Sequence, residues 1–155
     1  MGIFGKSEAR QQQKRLEALL ATAMQNNPTS SPKAEAAFQA AVEGLRSEGP
    51  AAEEYVLSVA SKGAPFPYIL CLWQAIYDMG ESIVPSVVHV MKTGRAESAR
   101  GQAVMALGTF AQTASQPVRN ACVQEVRNAA RQNDDEIIRT TAEAMLKVLA
   151  DKGIV

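Results

Sequence analysis

A chain of 155 residues holds one domain's worth of material, enough to bury roughly 68–70% of the surface its unfolded form exposes and too little for a second independent core. Hydrophobic residues make up 46% of it but aromatics only 5%, so Ala, Val, Leu, Ile and Met must fill the core, a mixture that favours packed helices over a β-sandwich. Sixteen basic and sixteen acidic side chains cancel, which removes the whole-molecule charge a nucleic-acid binder would use.

The start, Met1-Gly2-Ile3-Phe4-Gly5-Lys6-Ser7, superficially matches two motifs and satisfies neither. Gly5-Lys6-Ser7 ends like a P-loop, but the preceding glycine is too close and no strand leads into it. Gly2 suits a myristoylation signal, yet Lys6 stands where Ser or Thr is wanted. From Ser7 to about Gln25 a polar run gives way to Leu16, Leu19, Leu20, Ala23 and Met24 at helical spacing, predicting an amphipathic helix. That helix either caps the fold or docks on another chain, including a second copy. The run Asn26 to Pro32 is a loop, and it divides an N-terminal arm, 1–31, from a body, 32–155.

Pro32 to Arg46 places Ala37, Phe38, Ala41, Val42 and Leu45 on one face, and Gly49-Pro50 ends that helix and opens the next. Ala51 to Ser61 repeats the pattern with Tyr55, Val56, Val59 and Ala60. After a turn at 62–67, Tyr68 to Met79 is apolar over more than half its circumference, as a helix packed on both sides would be. Ile83 to Lys92 then carries Val84, Val87, Val88 and Met91 on one stripe, with Gly94 just beyond it.

Two later segments align without a gap at an offset of 39 residues, 99–108 on 138–147. Arg100 falls on Arg139, Ala103 on Ala142, Met105 on Ala144, Ala106 on Met145 and Leu107 on Leu146. A period near 40 residues made of two helices lies in the HEAT and armadillo range. The run from Asp134 to Arg139, with Ala142 and Leu146, resembles the second helix of a HEAT repeat: an aspartate, a short gap, Val-Arg, then small residues and Ala-Leu-Gly. Arg100 to Gly108 looks like the same helix one repeat earlier, with the Glu97 region in place of the aspartate. The resemblance covers about residues 82 to 150.

It implies an all-α, right-handed α-α superhelix of antiparallel hairpins with about six to eight helices. It also implies that Asp134 satisfies N–H groups opening its helix and that Arg100 and Arg139 bond to neighbouring repeats. Small residues at Ala99, Ala103, Ala106, Ala142 and Ala144 let helix axes approach closely, with Leu107 and Leu146 filling the remaining space.

Catalytic patterns are sparse. His89 is the one histidine, no His or Cys spacing suits a metal, and no cofactor motif occurs. Cys71 and Cys122 sit in apolar helical patterns, which suggests buried, reduced thiols rather than a disulfide framework. With no signal-peptide core and no run of about 20 apolar residues, a cytoplasmic protein is expected.

The expected function is therefore a non-catalytic adaptor or scaffold that binds another protein through a helical surface. Trp, Tyr and Arg dominate interface energies, which nominates Tyr68, Trp73, Tyr77, Arg127 and Arg131, with core packing the competing role for Trp73 and Tyr77. Between 92 and 131 six cations meet only Glu97 and Glu125, which suits an ordinary solvated surface or, alternatively, an acidic partner or phosphate. The resemblance to HEAT-like proteins, some of which bind DNA on a basic concave face, adds nucleic-acid binding as an alternative. A third possibility, a subunit of a HEAT-like lyase that attaches tetrapyrroles to proteins, rests on the resemblance in architecture alone.

Overall fold

The computed structural model describes residues 2–132 and 134–155, and among these there are eight α-helices, one 3-10 turn and no strand. α1 spans Ile3–Gln25, α2 Pro32–Ser47, α3 Pro50–Lys62 and α4 Tyr68–Asp78. The 3-10 turn, Glu81–Ile83, leads into α5, Val84–Thr93. The chain continues through α6, Glu97–Thr113, α7, Gln116–Gln132, and α8, Glu136–Asp151. α1 begins at Ile3 rather than at Ser7, so the helix extends beyond its apolar stripe.

Local chemistry sets the breaks. Asn27 Oδ1 accepts hydrogen bonds from the Thr29 N–H at 2.9 Å and the Thr29 hydroxyl at 2.8 Å, offering the chain an alternative to continued helix. Ser31 then caps α2, its hydroxyl accepting from the Ala34 N–H at 3.1 Å, and Pro32 fills the first helical position. At the far end Gly49 adopts φ +70°, the left-handed conformation that closes a helix at low cost for glycine.

The chain divides into two compact units. The first comprises Met1–Val56 and Pro65–Met79. Here α1 packs along α2 and against α4. Leu16, Leu20 and Ala23 of α1 are buried, as are Phe38, Ala41, Val42 and Leu45 of α2 and Cys71, Leu72, Trp73, Ala75 and Ile76 of α4. The division thus cuts across the expected boundary at 31/32, because the stripe on α1 lies on α2 and α4. Residues 3–11 of that helix nevertheless face solvent, apart from half-buried Gly5. α4 is buried over an arc of five residues, whereas Leu70 and Gln74 face outward.

The second unit comprises Leu57–Ala64 and Gly80–Val155. α5, α6, α7 and α8 pack in succession, α6 also packs on α8, and α5 touches α7. The two or three residues joining α5 to α6 and α6 to α7 are far shorter than the roughly 25 Å length of a 17-residue helix, so these neighbours form antiparallel hairpins.

The 39-residue offset can be traced in the burial pattern. Ala99 and Ile138 are both buried, as are Ala103 and Ala142, while Met105 and Ala144 both face solvent. The register extends to Phe110 and Leu149, both buried. It departs at Leu107, which is fully buried where Leu146 is half-buried. Leu149, rather than Leu146, fills the space on α8, and Ala144 takes no part in the close approach. Where that approach is tightest, the Met145 thioether occupies the place a Cβ on Gly108 would take.

Candidate interaction surfaces

Polar ties in both units join residues about one hairpin apart. In the first unit the Glu48 carboxylate accepts from Arg15 Nε at 2.9 Å and from Gln12 Nε2 at 3.3 Å, separations of 33 and 36 residues. In the second, Ser61 accepts from the Arg95 N–H through its hydroxyl and from the Ala96 N–H through its carbonyl. The Glu81 carboxylate accepts from both the N–H and the hydroxyl of Ser115, each at 2.8 Å and 34 residues away. Those two bonds, backbone first, hold Glu81 below the ordinary carboxylate range against the opposing effect of burial. Lys92 pairs with Glu125 at 3.5 Å, and Lys152 Nζ donates to Gln112 across 40 residues.

The Arg100 side chain is the centre of this pattern in the second unit. Its Nε donates to Asp135 Oδ2 at 2.8 Å and its Nη1 to the Gly94 carbonyl at 2.8 Å. Asp135 in turn caps α8, Oδ1 accepting from the N–H groups of Ile137 at 3.0 Å and Ile138 at 3.4 Å. Burial raises the Asp135 carboxyl pKa, but the bond from Arg100, the two N–H groups and the guanidinium charge together carry it below its ordinary value. The capping acid is therefore Asp135, one position beyond the expected Asp134, which is exposed. Arg139, the counterpart of Arg100, is half-buried and joins no ion pair among the described residues.

The two thiols are held in forms unsuited to nucleophilic attack. Burial raises the Cys71 pKa, and burial with the carboxylates of Glu125 and Glu81 pushes Cys122 up to about 11. An activated thiol needs the reverse shift. His89 is exposed. Among the described residues no group of three or more His, Cys, Asp or Glu side chains could hold a metal.

The five nominated contact residues divide between the units. Tyr68, Trp73 and Tyr77 belong to the first, Arg127 and Arg131 to the second. Trp73 is only 7% exposed, so its ring is core, and its buried Nε1 has no hydrogen-bond partner among the described residues. Tyr77 is half-buried, while Tyr68 is 43% exposed. Arg131 is exposed and Arg127 half-buried.

Two residues that the sequence reading passed over stand beside Tyr68. Phe66 is 78% and Leu70 51% exposed, so three large apolar side chains lie open within five residues at the start of α4. Phe66 fell in a turn and Leu70 in an apolar helix, and helical periodicity gives no exposure for the first and the wrong one for the second. A Pro-flanked aromatic, Pro65-Phe66-Pro67, was the available signal. The charge asymmetry between 92 and 131 is partly absorbed within the fold, since Lys92 and Arg100 are paired.

No helix among the described residues is long and apolar enough to cross a membrane. No family model matches the chain, nor does any curated protein or solved structure.

Proposed function

We propose that this chain is a non-catalytic, HEAT-like helical-repeat module that binds another protein through the surface at the start of α4. The observation that carries the binding role is the exposure of Phe66, Tyr68 and Leu70 together, beside a helix whose Trp73 and Ile76 are buried. Tyr68 and Leu70, two residues apart, leave α4 on different sides, so the apolar side chains are gathered at one end of the helix rather than in one stripe. Exposed large apolar and aromatic side chains of this kind mark interaction surfaces and dominate binding energy.

The repeat reading draws support from both units. The polar ties between Gln12 or Arg15 and Glu48, between Glu81 and Ser115, and between Arg100 and Asp135 span 33 to 36 residues, close to one two-helix repeat. α8 also has the outer face of a stack end. At positions where α6 presents Gly101, Val104 and Gly108, α8 carries Thr140, Glu143 and Lys147, all exposed. Polar side chains on the outer face are what a terminal repeat requires.

The test compares the full chain with its Phe66→Ser/Leu70→Ser variant as bait in a native lysate, with a high-salt wash. Each truncation should cost about 1–2 kcal/mol of binding. A near-stoichiometric, salt-resistant protein recovered by the parent and lost by the variant supports the reading. Identical recoveries from both baits refute it.

A further inference from the structure

The first half of α1 plays no part in the surface described above. Its buried anchors begin at Leu16, and residues 3–11 extend as exposed helix for about 13 Å, counted at 1.5 Å per residue. Ile3 and Phe4 are 87% and 86% exposed. Lys6, Arg10 and Lys14 follow at every fourth position and so share a flank; no ion pair among the described residues engages them. Ile3 lies on the same flank, seven residues before Arg10 and eleven before Lys14. Glu8, two residues from both Lys6 and Arg10, points to the other side of the helix, toward the flank of Phe4, and exposed Glu17, three residues beyond Lys14, ends the cationic row.

This segment is poorly stabilised by its own resources. Gly2 supplies no side-chain cap and the first turn has no carboxylate, so the free N–H groups and the positive end of the helix dipole coincide with Lys6. A short helix without tertiary packing is marginal in water. Each of these features is relieved by an anionic partner that also takes up apolar side chains.

We propose that the exposed half of α1 docks on an anionic phospholipid surface, with Ile3 and Phe4 entering the boundary of the acyl chains and Lys6, Arg10 and Lys14 lying over the headgroup phosphates. Long cationic side chains lay their stems along the interface and keep their charges at the headgroups. A nucleic-acid backbone would satisfy the cations and leave Ile3 and Phe4 in water. A second copy of the helix would set one row of cations against another. The inference is independent of the adaptor reading, because Phe66, Tyr68 and Leu70 have no role in it.

Flotation of the full chain with vesicles of equimolar phosphatidylserine and phosphatidylcholine, against vesicles of phosphatidylcholine alone, tests it. The chain should float with the anionic vesicles at low salt and be released as salt rises. Each cation should contribute about five-fold, so Lys6→Gln/Arg10→Gln/Lys14→Gln should bind roughly a hundred-fold more weakly. Ile3→Ser/Phe4→Ser should lose binding as well, and both variants should keep the parent's melting curve because none of the five side chains is buried. Equal recovery on the two kinds of vesicle, unchanged binding by the Ile3→Ser/Phe4→Ser variant, or tighter binding to duplex DNA than to anionic vesicles overturns the proposal.

Discussion

Both units bury large side chains, Phe38, Leu45 and Leu72 in the first and Leu107, Ile138 and Leu149 in the second; α2 of the first sets one glycine, Gly44, against Leu19 of α1, whereas α6 of the second sets two, Gly101 and Gly108, against α8. The ion pairs differ as well. Arg15 and Glu48 leave 54% and 19% of their side chains in solvent, against 20% and 23% for Arg100 and Asp135. Helices separated by large side chains tolerate many residue combinations of similar total volume, because the side chains can repack. Where a neighbouring side chain fills the space of a Cβ, as Met145 does at Gly108, only glycine fits without rearrangement. Two such glycines seven residues apart leave a plainer mark in the sequence of the second unit than the single one leaves in the first.

The largest effect that probes this contrast is expected at Trp73. Replacing it by Ala should cost about 3–5 kcal/mol in denaturant unfolding, as for other buried aromatic truncations, and should lower the stability of the whole first unit. Trp73→Phe should be much milder, since it removes a buried indole N–H that has no partner among the described residues. A Trp73→Ala melt equal to the parent's would mean that the first core is not held by this ring.

Arg100→Met should come next, at about 1.5–3 kcal/mol, the usual range for hydrogen bonds to a charged group. The pH dependence carries a sign. Asp135 has a lowered pKa in the fold, so its contribution is complete above the ordinary Asp value near about 3.9 and is lost as pH falls through the lower folded value. The parent's advantage over Arg100→Met should therefore be constant at neutral pH and shrink in that acid range. An unchanged gap down to the lowest pH would remove Asp135 from the account.

Gly108→Val should destabilise by about 1–3 kcal/mol through overpacking against Met145. Adding Met145→Ala should recover part of that loss. If the double variant is no better than Gly108→Val alone, the two helices are not limited by this contact. Arg15→Met should have the smallest effect, a change in melting temperature within experimental scatter that vanishes in salt, because the guanidinium is more than half exposed and screened and Glu48 keeps its bond from Gln12.

Much of the architecture was legible before any coordinates, and the misses have particular causes. Helix periods, the break before Pro32 and the Gly49-Pro50 junction depend on neighbours in sequence, so they could be read directly. The resemblance alone points to Asp134 as the capping acid and not to Asp135, because adjacent aspartates fit a cap equally well until Arg100 is in place. Tyr68 emerged as an exposed candidate contact, but its neighbours Phe66 and Leu70 did not, since an apolar residue in a turn or helix carries no mark of whether another element will cover it. Trp73 was open to two roles for the same reason.

The sequence alone therefore determined the helical class, the limits of α2 to α5 to within about a residue and the 39-residue echo between α6 and α8, all of which follow from local periodicity and turn residues. Tertiary structure alone decided which side chains were covered: that α1 splits into a packed half and an exposed half, that Leu149 replaces Leu146 in the core, and that Phe66, Tyr68 and Leu70 stay open. Burial belongs to pairs of surfaces, and a single helix pattern specifies only one member of each pair.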